Sequence, residues 1–279
     1  VKIAKTIAAA RAFVRGSSRP IVLVPTMGAL HHGHAALIRR ARKLAGRKGR
    51  VVVSIFVNPT QFGPKEDFSS YPRPFRADAA LCREAGADLV FRPEPVEMYA
   101  ADKSVFIDES RLSTGLCGAS RPGHFRGVCT VVAKLFLIVQ PDIALFGEKD
   151  WQQLAIIRRM VRDLDFPVKI VGVPTVREPD GLATSSRNAY LTPEERAVAP
   201  RFSAALRAAA SRKTPAAILR AAERDLARIP GARIDYVSLV HSETLEPVRH
   251  LRDGATLAAA LFLGRARLID NLQIPPAHP

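Results

Sequence analysis

His31 and His34 stand three residues apart in the stretch 24–34, V-P-T-M-G-A-L-H-H-G-H, with Gly28 and Gly33 among them. Glycines there permit a tight backbone and close approach of a ligand that a side chain would block. A helix beginning at this point would present unsatisfied N–H groups and a partial charge of roughly +0.5, a natural seat for an anion. Two imidazoles beside that pole can donate hydrogen bonds to phosphate oxygens without a permanently buried charge. Taken alone, this H-x-G-H spacing fits surface histidines near a turn equally well. Three further polar stretches shift the balance: Asn58-Pro59-Thr60-Gln61, residues 147–153 (G-E-K-D-W-Q-Q) and residues 176–187 (V-R-E-P-D-G-L-A-T-S-S-R). Lys149, Ser185, Ser186 and Arg187 suit phosphate oxygens, whereas Asn58, Gln61 and Gln153 offer neutral amides. Cations and hydroxyls at one end with amides at the other suit a triphosphate next to a small polar substrate.

These stretches need elements to hold them, and β-branched runs precede several of them. Residues 21–24 read as a short buried strand, and residues 51–57 (V-V-V-S-I-F-V) as a strand buried on both faces. Residues 143–146 give another strand, ending at Gly147. Helical segments are expected at 1–15, about 34–44, 77–85, 128–139 and 151–164, and further strands at 88–91 and 168–173, with 105–107 as an edge strand. Residues 115–127, including Arg121, His124 and Arg126, read as loop; Arg121 and His124 suit lid contact and loop stabilisation equally. Strands alternating with helices predict an α/β fold, a doubly wound parallel, Rossmann-like sheet, whose strand C-termini open on one edge and would gather distant loops in one crevice. Composition changes near residue 175. Thr192-Pro193-Glu194-Glu195 is a helix N-cap signature, Ala-rich helices follow to about residue 229, and alternating segments at 234–240, 256–263 and 267–269 read as a small antiparallel sheet. The expected domains are 1–175 and a smaller α+β domain at 176–279.

Composition narrows the function classes. At 279 residues, 47% hydrophobic and 24% charged, the chain is globular rather than disordered. The apolar run 257–263 is too short to span a bilayer, and Lys5, Arg11 and Arg15 interrupt the N-terminal segment before a signal-length apolar core forms. Three cysteines, Cys82, Cys117 and Cys129, lack metal or redox spacing, so a reduced, cytoplasmic setting is expected. The net charge of +16 would attract polyanions, yet the arginines are dispersed and aromatics make up only 6%. An anionic small substrate therefore explains the site better than nucleic acid does.

The blocks P-T-M-G-A-L-H-H-G-H, F-V-N-P-T-Q-F, R-P-G-H-F-R-G-V, F-G-E-K-D-W-Q-Q-L and G-L-A-T-S-S-R-N-A-Y-L, with R-L-I-D-N near the end, closely resemble the pantoate–β-alanine ligases. The resemblance runs from about residue 21 to 271. It implies a cytoplasmic homodimer of the HxGH nucleotidyltransferase superfamily that joins pantoate to β-alanine with ATP and Mg²⁺ through a pantoyl adenylate. Carried over by position, residues 25–34 (Pro25, Thr26, Met27, Gly28, Ala29, Leu30, His31, His32, Gly33, His34) resemble the first ATP segment. His34 is then catalytic, His31 assists at the phosphates, and Gly33 makes room for adenine. Gly147, Glu148, Lys149 and Asp150 resemble a second nucleotide loop, with Lys149 catalytic on the phosphates. Val176 resembles a backbone adenine contact, and Thr184, Ser185, Ser186 and Arg187 the mobile phosphate-closing loop. Gln61 and Gln153 resemble the amides that hold pantoate, with Gln61 also reaching toward β-alanine, and Asn58 joins them as substrate-binding. Asp78 sits where the family often has an acid near the metal. Four positions depart from the pattern: Thr184 replaces a usual Met, His32 a common Glu, Trp151 a smaller aromatic, and Ala77 a frequent second acid.

Other readings remain at this stage. A plain nucleotidylyltransferase would need cations where Asn58, Gln61 and Gln153 lie. A nucleic-acid-binding protein would use the basic surface, and a catalytically lapsed paralogue is compatible with Thr184 and Ala77.

Overall fold

The computed structural model describes residues 1–64 and 66–276. The chain forms two compact units. The first comprises Val1–Ser110, Arg121–Glu148 and Ile156–Pro174; the second comprises Arg111–Ser120, Lys149–Ala155 and Thr175–Pro279. Thr175 begins the long C-terminal stretch of the second unit, close to the expected boundary. Two earlier segments also belong there, and Gln152 ties them to each other. Its Oε1 accepts from the Cys117 N–H at 2.9 Å, and its Nε2 donates to the carbonyls of Leu112 and Gly115, both at 2.8 Å.

The elements follow in chain order as β1 (Lys2–Ala4), α1 (Ile7–Arg15), β2 (Ile21–Thr26), α2 (His32–Ala45), β3 (Arg50–Ile55), α3 (Phe75–Ala85), β4 (Leu89–Phe91), α4 (Pro95–Met98), α5 (Cys117–Ser120), α6 (His124–Val139), β5 (Ile143–Gly147), α7 (Trp151–Asp163) and β6 (Lys169–Val173). Six strands make one sheet in the order β1-β4-β3-β2-β5-β6, every pairing parallel. Val22, Val24, Val51, Val53, Val90 and Leu145 are fully buried in its core with Ile38 of α2, which is why β2 and β3 read as unbroken apolar runs. Strand order reverses between β2 and β5, which pair directly through Val22–Ile143 and Leu23–Ala144. At such a switch point the loops leaving two adjacent strands diverge, opening a crevice at the carboxyl edge. β2 and β5 end there at Thr26 and Gly147.

In the second unit, α8 (Pro193–Val198), α9 (Arg201–Ala210) and α10 (Pro215–Ala227) accompany an antiparallel sheet of β7 (Ala232–Val240), β8 (Ala255–Leu263) and β9 (Ala266–Ile274). Thr192 forms the expected capping box with Glu195. Phe202, Leu206, Ile218, Leu226, Leu257 and Leu261 build the core of this unit.

Several expectations need correction. The N-terminal segment is strand β1 followed by α1, since Lys2–Ala4 pairs with Leu89–Phe91 before the helix begins. Residues 105–107 join no strand; Val105 is 82% exposed, and the Ile107 N–H goes to the Thr130 hydroxyl at 3.0 Å instead of a ladder partner. Residues 115–127 are not continuous loop. They contain α5 and the first turn of α6, so His124 and Arg126 are helical.

Candidate active site

The loop after β2 turns at Gly28 (φ +86°) and Ala29 (φ +50°). A Cβ at Gly28 would lie 3.0 Å from Asp78 Oδ2 and 3.1 Å from Ile55 Cγ2, on a backbone that disfavours side chains as well. Asp78 of α3, only 2% exposed, holds this loop: its carboxylate accepts the N–H of Ala29 at 3.1 Å and of Leu30 at 2.7 Å. Burial raises its pKa, against the opposing effect of those two N–H bonds. Each oxygen thus holds one backbone N–H of this loop. Ala77 beside it is exposed on α3.

Helix α2 then starts with histidines where Ser, Thr, Asp or Asn usually cap. His31 is the N-cap, and its Nδ1 accepts the Gly33 N–H at 3.2 Å; the His31 N–H is accepted by His34 Nδ1 at 3.3 Å. The rings lie 4.1 Å apart between centroids. Each Nδ1 accepts, so within this cap the N–H of each ring is assigned to Nε2. The cap therefore sets the tautomer as well as the ring position. His32 is exposed.

After β3, Asn58 caps a 3₁₀ turn, Pro59–Gln61. The Asn58 side chain is 1% exposed and fully committed. Its Nδ2 donates to Gln61 Oε1 and to the Gly127 carbonyl, both at 3.1 Å, and its Oδ1 accepts from the Tyr99 hydroxyl at 2.8 Å and the Thr60 hydroxyl at 2.9 Å. With every amide position engaged, Asn58 orients Gln61 instead of offering itself to a substrate, contrary to its expected binding role. Gln61 Nε2 lies 3.0 Å from Met27 Sδ, which brings the β3 loop to the β2 loop.

A second support for Gln61 was not evident from the spacing of residue types. His124 Nδ1 lies 2.8 Å from the Gln61 carbonyl, and its Nε2 lies 2.9 Å from Arg121 Nη1. Because guanidinium only donates, Nε2 accepts and Nδ1–H donates to Gln61. Arg121 in turn grips Glu66 through two bonds of 2.6 and 2.7 Å. Burial alone would raise the Glu66 pKa, but the Arg121 bonds and charge and the Gly63 N–H together hold it below the usual carboxylate range. Of the two roles open to Arg121 and His124, these contacts favour loop stabilisation. The R-P-G-H-F-R-G-V block carried that signal, including Gly127, where a Cβ would fall 2.4 Å from the Thr60 carbonyl oxygen.

Gly147 and Glu148 lie in the first unit at the end of β5, paired at Gly147 with Val173. In the second unit, Lys149 is largely buried (side chain 18% exposed), with Nζ 3.8 Å from Asp150 Oδ2. The Lys149 carbonyl accepts from Asn271 Nδ2 at 2.9 Å. Gln153 is half-buried, and its neighbour Gln152 takes the structural bonds given above. Trp151 uses its larger ring's N–H, donating to the Ser242 carbonyl at 2.8 Å.

Residues 176–187 form a short antiparallel turn: Arg177 bridges Ala183, the Glu178 N–H donates to the Leu182 carbonyl at 2.8 Å, and the Thr184 N–H to the Val176 carbonyl at 3.0 Å. Thr184 is 4% exposed, so the residue that differs from the family pattern packs inward while its backbone carries the turn. The Ser185 hydroxyl caps the 3₁₀ turn Ser186–Tyr190, accepting from the Arg187 N–H at 3.3 Å. Val176, Thr184, Ser185, Ser186 and Arg187 are thus brought together within the second unit. Among the described residues no group of three or more His, Cys, Asp or Glu could hold a metal ion.

The family model for pantoate-beta-alanine ligase matches residues 2–273. A pantothenate synthetase of Akkermansia muciniphila is 56% identical over 259 residues, covering 91% of this chain and 92% of its own. One of Geobacter sulfurreducens is 51% identical over 279 residues, covering 97% and 98%. Among solved structures, pantothenate synthetase from Thermus thermophilus is 50% identical with a TM-score of 0.93, covering 99% of this chain and all of that one. A pantoate-beta-alanine ligase from Francisella tularensis, complexed with beta-gamma ATP and beta-alanine, is 32% identical with a TM-score of 0.82, covering 98% and 97%. This chain belongs to the pantoate–β-alanine ligase family.

Proposed function

We propose that the ligation of pantoate to β-alanine proceeds here in two displacements at the expense of ATP. A pantoate carboxylate oxygen attacks the α-phosphorus, the bond to the β-phosphate breaks, and pyrophosphate leaves with the electron pair. The β-alanine amine then attacks the acyl carbon of pantoyl adenylate, the acyl–oxygen bond breaks, AMP departs, and the amine loses a proton. The second step needs no nucleophilic side chain, because the acyl group arrives activated; holding amine and carbonyl together supplies roughly 7–11 kcal/mol.

The observation that carries this reading is the reciprocal cap of His31 and His34. With each Nδ1 engaged by a backbone N–H, the role assigned here to both rings is that of Nε2–H donors to phosphate at the N-terminus of α2, where negative charge is favoured. His34 donates to phosphate oxygens as charge builds toward the leaving pyrophosphate, with His31 beside it. Each such donor contributes roughly 3 kcal/mol to the transition state. Lys149, Ser185, Ser186 and Arg187 complete the phosphate ligands, and Gly147, Glu148 and Asp150 line the nucleotide segment. Gly33 leaves space for adenine and Val176 contacts it through backbone. Gln61 and Gln153 hold pantoate, with Gln61 reaching toward β-alanine. Asn58 and Asp78 act behind these groups, fixing Gln61 and the Ala29–Leu30 backbone. Mg²⁺ accompanies ATP in this reading, and no step is assigned to it.

The proposal includes a cytoplasmic homodimer, a setting compatible with the three free cysteines. Burial pushes the thiols of Cys82 and Cys129 up to about 12, so both stay protonated at neutral pH. Exchange of labelled pyrophosphate into ATP tests the chemistry: it should require pantoate and proceed without β-alanine. Exchange independent of pantoate would refute the reading.

A further inference from the structure

Asp270 and Asn271 are consecutive residues of β9, 3% and 8% exposed, paired in register with Ala259 and Ala258 of β8. Successive side chains of a strand leave opposite faces, and here each meets a different segment. Asn271 Nδ2 donates to the carbonyl of Lys149 at 2.9 Å. Asp270 receives Arg177 through both terminal guanidinium nitrogens at 2.7 and 2.9 Å, has the Ser203 hydroxyl at 2.7 Å, and accepts its neighbour's N–H at 2.8 Å. Arg177 Nη1 also reaches the Gly181 carbonyl at 3.2 Å, closing the turn whose other limb continues into Thr184–Arg187. A charged bidentate pair with its remaining acceptor positions satisfied holds a narrow geometry.

We propose that Asp270 and Asn271 are positioning residues for adenylation. From the two faces of one rigid strand they fix the Lys149 backbone and the base of the 177–183 turn, setting the Lys149 amine in register with Ser185, Ser186 and Arg187. This rests on the phosphate roles proposed above for those residues. Side chains that hold a catalytic group through its backbone act by placement, and a displacement near 1 Å costs about 100-fold in rate.

The test is a double-mutant cycle on pantoate-dependent pyrophosphate exchange, using Asn271→Ala, Lys149→Ala and their combination in the full chain. Asn271→Ala should lower exchange by about 10- to 100-fold. In the Lys149→Ala background it should change nothing further, because the group it places is gone. Asn271→Asp, the same size with an oxygen facing the Lys149 carbonyl, should lose at least as much and replaces Asn271→Ala should that variant not fold. Arg177→Lys, which keeps the charge opposite Asp270 but loses the fork, should raise the KM for ATP and leave the KM for pantoate unchanged. Wild-type exchange in Asn271→Ala, or an equal loss in both backgrounds, would overturn the proposal, as would an unchanged ATP KM in Arg177→Lys. Wild-type exchange in Lys149→Ala would instead sink the underlying role of Lys149, so the two failures are distinguishable.

Discussion

A methyl group at Gly127 is the smallest perturbation that should reach Gln61, the amide proposed to hold pantoate, without changing that side chain itself. Gly127 lies in the first turns of α6, and an added Cβ would stand 2.4 Å from the Thr60 carbonyl oxygen and 2.6 Å from the Gln61 N. Both partners are backbone, so no flexible side-chain end can swing away. Ordinary contact begins near 3.4 Å, so the 3₁₀ turn must retreat by about 1 Å. Overpacking of this kind costs roughly 1–3 kcal/mol in stability. A shift of about 1 Å at a substrate-holding group costs about 100-fold in rate. The Asn58–Gly127 bond and the His124–Gln61 bond anchor the same turn, so the shift would carry the Gln61 amide with it. Gly127→Ala should therefore lose about 100-fold in kcat/KM for pantoate in pyrophosphate exchange, far more than in the KM for ATP. Gly115→Ala, whose new Cβ would meet nothing within 4 Å, is the control. If Gly127→Ala keeps its pantoate kcat/KM within about threefold, the reasoning from backbone approach to Gln61 placement is wrong.

His34→Gln separates the cap from the chemistry, because Gln is a favoured partner in a capping box. Its unfolding midpoint should stay near wild type while pyrophosphate exchange falls by roughly 10²–10³-fold; retained exchange would refute the donor role. Glu66 supplies the pH test. Its pKa is held below the ordinary glutamate value of 4.5 in the folded chain, so its stabilising contribution is present above that value and fades as pH falls through the folded pKa. Urea unfolding of wild type against Glu66→Gln should show a stability gap at neutral pH that narrows below about pH 4.5; a gap that is constant or widens on acidification would contradict the Arg121 pairing.

The strands that frame the site are legible because a parallel sheet covered on both faces demands continuous β-branched runs, as in residues 21–24 and 51–55. The polar loops at their ends are legible for the complementary reason that amides, histidines and lysine are out of place beside such runs. Three features escape this kind of reading. Lys2–Ala4 is too short to show a period, and only its pairing with β4 makes it a strand. Gly123 and Gly127 look like loop residues around His124. One begins a helix in a left-handed conformation, and the other sits inside it to admit a neighbouring backbone. The support one amide gives another is also invisible in residue type: Asn58 and Gln61 carry the same group, yet all positions of Asn58 are occupied by protein and one of them holds Gln61. Asp78 is parallel, since its residue type gives no sign of the two backbone N–H groups it holds.

The central proposal is that a carboxylate oxygen of pantoate displaces pyrophosphate at the α-phosphorus and leaves with AMP in the second step. Pantoate labelled with ¹⁸O in both carboxylate oxygens, turned over with ATP and β-alanine, tests it most directly. The claim requires one labelled oxygen in AMP and the other in the amide carbonyl of the product. Label appearing in phosphate or pyrophosphate, or AMP free of label, would contradict it.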